Sequence, residues 1–211
     1  MPSESDAVAK PRSKRRASKG RQHVLEATAK VIVERGADAT RFSDVSAASN
    51  VPVSSLQYYF GSRDDLLIAS FRHASESELA ALREELRDIA DPWARLIRIV
   101  DVAISGFDPG STNAGLLWME SWRFALRDPE LRADVMADYA AWRALISEST
   151  EAGIKAGRFS SDVSPEVVAV QTIAMVDGIS MPAALGDPDV SIASGREAVL
   201  QALRAILRYD D

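Results

Sequence analysis

Apolar residues recur every three or four positions along most of this chain, with polar residues between them, which is the period of helices that each bury one face. From Arg21, the set Val24, Leu25, Ala27, Val31 and Ile32 predicts a first helix stopped by Gly36. Thr40 is suited to cap a second, in which Phe42, Val45 and Ala48 face inward, and Asn50 tolerates the left-handed backbone of a tight turn. A third, short helix runs from Pro52 or Val53 to Tyr59. Ser62, with Asp65 three residues on, approximates a capping box for a fourth, carried by Leu66, Leu67, Phe71, Leu79, Leu82 and Leu86 to Asp91-Pro92.

Beyond that point, Asp91-Pro92, Asp128-Pro129 and Ser164-Pro165 each put a capping side chain before a proline suited to the first helical position. Two more helices, near 111–127 and 191–209, bring the count to about nine, and no segment alternates as a strand. The pattern predicts an all-α fold.

Composition narrows the chemistry. The chain has no Cys, which removes thiolate metal sites, thiol nucleophiles and disulfides and suits a reducing cytoplasm. His23 and His73 are far apart in sequence and read as helix-surface residues, so no metal site is expected. Neither a nucleophile elbow nor a phosphate-binding glycine loop is present, so we expect no catalytic residues, no cofactor and no enzyme activity. The N-terminus lacks a signal-peptide pattern and no long uninterrupted apolar run follows, giving the expectation of a cytoplasmic protein with no membrane partner.

The net charge of -6 divides unevenly. Up to Arg72 there are 12 Lys or Arg against 8 Asp or Glu, leaving the remainder strongly acidic. Seven of the basic residues fall between Lys10 and Arg21. Residues 1–19, poor in large apolar side chains, read as a flexible basic arm. The arm is either a solubilising tail or a tracker of phosphates, with Arg15 and Arg16 the candidates for the second role.

On the predicted third helix, Leu56 and Phe60 lie four apart and anchor it. Ser54, Ser55, Gln57 and Tyr58 then fall on the exposed side, where hydroxyls and amides can meet phosphate and a Gln side chain can pair with a base edge, most naturally adenine. Tyr59 is expected in the core. Val51 to Leu66, preceded by Asp44-Val45-Ser46-Ala47-Ala48, resembles the N-terminal signature of TetR-family transcriptional regulators over Val24 to about Phe71. This chain has Gln57 where the family commonly has Tyr, Tyr59 where it has His, and Ser54 where it has Gly.

The resemblance implies a helix-turn-helix DNA-binding domain, placed at residues 20–66, on a helical ligand-binding and dimerisation domain at 67–211. It implies a homodimeric repressor released from a palindromic double-stranded operator by a small-molecule effector. Arg41, Ser43 and Arg63 match positions beside the DNA backbone. A cation at the start of the fourth helix also needs an offsetting anion. The alternatives are an activator, a ligand-independent regulator, or a helical small-molecule carrier that no longer binds an operator.

All four Trp lie between residues 93 and 142. Trp93, Phe107, Trp118, Met119, Trp122, Met136, Tyr139 and Trp142 can line a pocket for an apolar, aromatic or cationic ligand near Glu120, or simply form a core. In the last two helices, Val168, Ile173, Val176, Ile179, Leu200, Leu203 and Leu207 offer more apolar surface than one packing side needs. They are the candidates for a two-fold four-helix bundle between protomers, with Gly178 permitting close approach; the alternative is a monomer in which these helices are fully buried.

Overall fold

The computed structural model describes residues 11–107 and 114–209, with the side chains of residues 11–18 outside the described set. The described residues form nine helices and no strand. In order they are α1 (Pro11–Arg35), α2 (Phe42–Ser49), α3 (Val53–Phe60), α4 (Arg63–Arg87), α5 (Pro92–Ser105), α6 (Ala114–Ala125), α7 (Pro129–Lys155), α8 (Pro165–Ala184) and α9 (Ile192–Leu207). They divide into two compact units, Met1–Ala74 and Ser75–Asp211, with the division inside α4.

The helix starts follow from local chemistry. The Asp91, Asp128 and Ser164 side chains accept from the backbone N–H groups of Ala94, Leu131 and Val167, and each precedes a proline whose missing N–H needs no partner there. Ser62 and Asp65 exchange hydrogen bonds as the predicted capping box, at 3.1 Å and 3.2 Å. Asn50 takes the left-handed conformation between α2 and α3, with φ of 56°.

Two expectations at the N-terminus change. Backbone helix begins at Pro11, so residues 11–19 of the expected arm belong to α1; the side chains of Arg15 and Arg16 lie outside the described residues. Arg41, not Thr40, occupies the cap of α2. Thr40 is buried and its hydroxyl instead donates to the Gly36 carbonyl, while Asp44 receives the Arg41 N–H.

Val24, Leu25, Val45, Leu56, Phe60 and Leu66 close the core of the first unit. The second is a helical stack with α8 against α7 and α9. Gly195 on α9 lies so near Ile179 that an added Cβ would collide with it, so α9 approaches α8 closely at this point.

Candidate functional site

The first unit presents α3. Leu56 and Phe60 point inward and are buried, which fixes the rotation of this two-turn helix. Ser54 and Gln57 are exposed, Ser55 is half-buried, and Tyr58 is 85% exposed. Such exposure is unusual for an aromatic side chain. Tyr59 corrects the sequence reading: it is 63% exposed and sits edge-on to Tyr58 at 5.4 Å. Residue 59 lies some way round the helix from the Leu56 face, and a helix this short has no further turn to close over it. Arg41 and Ser43 are exposed at the start of α2. Arg21 of α1, which sequence reasoning passed over, lies over the Phe60 ring at 5.3 Å and adds a cation beside the C-terminal end of α3.

Arg63 has partners within the chain. Its Nε donates to the Thr40 carbonyl at 2.6 Å, its other guanidinium nitrogens donate to the Ala37 carbonyl and to the Asp64 carboxylate, and it thereby latches α4 to the turn before α2.

The second unit holds a pocket open to solvent on one side, between α4, α5, α6, α7 and α8. Phe107, Trp118, Trp122, Tyr139 and Trp142 line it, as the sequence suggested. Three of the expected residues do not. Trp93 stacks on Tyr209 at 4.7 Å in the core, Met136 is exposed on α7, and Met119 is half-buried outside the lining. Nor does Glu120, which pairs with Arg123 at 3.0 Å.

The acids of the cavity are Glu78 and Asp177. The Trp118 indole N–H donates to Glu78 at 3.2 Å and the Tyr139 hydroxyl donates to Asp177 at 2.8 Å. Burial holds both carboxyls above their usual range, because the charged form loses water and these neutral donors restore only part of it. Asp138 beside Glu78 raises it further and is itself raised, chiefly by burial. Among the described residues neither cavity carboxylate forms an ion pair. Among the described residues the Trp122 indole N–H is buried with no acceptor. Sequence offered one signal for this pair: Asp177 is an acid inside a long apolar helix. Glu78 had none, being one of four glutamates on α4.

The α8–α9 surface also differs from the expectation. Val168, Ile173, Val176, Leu200, Leu203 and Leu207 are buried inside the protomer, and Ile179 is half-buried against the same core. The exposed apolar residues of α8 are Val167, Val170, Met181 and Leu185, its C-cap, with Ala174 and Gly178 between them.

Residues 24–70 match the family model for bacterial regulatory proteins of the tetR family, and residues 92–208, more than half the chain, match that for the C-terminal domain of BetI-type transcriptional repressors. The chain belongs to the TetR family. Among TetR-family relatives, the BetI regulator of Burkholderia thailandensis is 30% identical over 115 residues, covering 53% of this chain and 57% of the relative. That of Burkholderia cenocepacia is 29% identical over 115 residues, covering 53% and 58%. The match therefore spans little more than half of those relatives' length. A TetR-family regulator from Rhodococcus sp. superposes with a TM-score of 0.75 at 26% identity, over 90% of this chain and 99% of that one. A transcriptional regulator from Saccharomonospora viridis, crystallised in complex with choline, shares the fold with a TM-score of 0.80 at 24% identity, over 89% and 96%.

Proposed function

We propose that this chain is a DNA-binding transcriptional repressor that docks on a duplex through α3 and leaves it when a small organic cation occupies the cavity of the second unit. The observation that carries the reading is the exposed face of α3: Ser54, Gln57, Tyr58 and Tyr59 stand clear of the core on the helix that TetR-family regulators use to read DNA. Gln57 can pair with a base edge, while Ser54, Ser55, Tyr58, Arg41 and Ser43 meet the backbone. Arg63 serves as a positioning residue that holds the turn before α2.

The cation is supported by the cavity itself. Aromatic faces attract a cation through their quadrupoles, and two desolvated carboxyls without an internal counter-charge gain from one. The Trp122 N–H is open to an acceptor on the same ligand. The choline in the Saccharomonospora regulator is a ligand of that chemistry.

A second copy of the chain completes the repressor. Val167, Val170, Ala174, Gly178, Met181 and Leu185 follow one another at steps of three and four, the spacing of a helix–helix seam. At Gly178 an added Cβ would meet nothing among the described residues, which leaves room for a close approach from outside. By length and composition α8 is also apolar enough to cross a membrane. Asp177 and Glu166 argue against lipid and for a protein partner.

The test is a footprint on the DNA flanking the chain's own gene, with and without trimethylammonium compounds. Protection of a palindromic site that the cation removes is expected. Absence of any protected site overturns the DNA reading, and protection that no cation changes overturns the effector reading.

A further inference from the structure

The two cavity carboxylates stand at opposite ends of one aromatic series. Glu78 holds the Trp118 indole; the Trp118 and Trp122 ring centroids are 6.1 Å apart; Trp122 stacks on Tyr139 at 6.2 Å and 19°; and the Tyr139 hydroxyl holds Asp177. The acids come from different helices, α4 and α8, and each is tied to the ring nearest it. A ligand with a single cationic head neutralises one of them and leaves the other half-buried with only a neutral hydrogen bond.

We infer that the cavity is built for a linear dication, a molecule with a cationic group at each end and a slender linker lying along the rings of Trp118, Trp122 and Tyr139. This inference rests on the proposed function, since it names the class of cation that the cavity takes. Glu78 receives one end and Asp177 the other. Methylenes of the linker pack on the indole and phenol faces, and an ether or hydroxyl oxygen near its middle would take the unpartnered Trp122 N–H. Cations placed over ring faces add their own attraction, so the same side chains hold the linker and strengthen both ends.

The experiment uses the full chain and two probe series of matched length: bis(trimethylammonium)alkanes with three to six methylenes, and alkyltrimethylammonium ions with one charge. Affinity is read by tryptophan fluorescence and calorimetry. The best dication is expected to bind about tenfold or more tightly than its singly charged counterpart, the scale of one partly desolvated cation–π contact. Glu78→Gln and Asp177→Asn, both isosteric, should each bring the dication down to the level of the monocation. Equal affinity of the two series in the wild-type protein overturns the inference and leaves the single-cation reading standing. So does a preference for dications that survives both substitutions. If neither series binds, the cation reading of the cavity falls with it.

Discussion

Replacing Arg63 with methionine separates two roles that look alike in sequence. If the guanidinium is a latch, its loss leaves the Ala37 and Thr40 carbonyls without this donor and destabilises the fold by about 1–3 kcal/mol. The salt dependence of operator binding should not change. If Arg63 instead neutralises a phosphate, the logarithmic salt slope should become shallower by about 0.9 in the variant. Chemical denaturation and salt titration of the same variant decide between them. Gln57→Ala should relax preference at one base position by about 1–3 kcal/mol while leaving stability alone, measured by selecting duplexes from a random pool. A uniform loss of affinity across sequences would remove the base-reading role. The polar face of α3 was legible because Leu56 and Phe60 fix the rotation of the helix. Arg63 was not, because its partners are carbonyls 23 and 26 residues earlier in the chain, and nothing in a local pattern announces them.

Elements show the same division between local and tertiary information. Caps and prolines gave the starts of α5, α7 and α8, since the physics of a helix terminus is contained in four or five neighbouring residues. The outward face of α8 was misjudged because the helix is apolar almost all round, and periodicity cannot choose a side when both sides qualify. The exposed stripe lies immediately beside the expected one: Val167 is exposed and Val168 buried. Val170→Glu should therefore convert a dimer to a monomer in light scattering while the protomer keeps its helical circular dichroism. An unchanged mass would exclude this face. Val168→Glu should unfold the protomer itself, because that side chain is fully buried.

At the scale of the whole molecule, the ligand site is a place of stored electrostatic cost. Glu78 and Asp177 have raised carboxyl pKa values in the folded protein, with Asp138 adding repulsion beside Glu78 and Tyr139 held against Asp177 with Arg143 nearby. For groups raised in this way, the native state binds more protons than the unfolded chain. Their contribution is fully present below the ordinary carboxylate range and is lost as pH rises through the raised values. The ligand-free protein should thus lose thermal stability over that window, and a cation should raise the melting temperature more at neutral than at mildly acidic pH. Asp177→Asn should flatten this dependence, raise the melting temperature of the ligand-free protein at neutral pH, and reduce the gain from a cation. A variant that melts lower with an unchanged ligand response would contradict the account. The division of charge between a basic N-terminal segment and an acidic remainder was visible in composition; the sharing of one pocket by Glu78 of α4 and Asp177 of α8 was not, since it depends on tertiary packing.

The central claim is that one protein binds DNA and an organic cation at mutual expense, and linkage makes this measurable in a single comparison. Titrate the cation into free protein and into protein saturated with its footprinted operator. We predict weaker cation binding to the DNA-bound form, by the same factor by which the cation weakens operator binding. Equal affinity for the two forms would show that the cavity does not govern the reader.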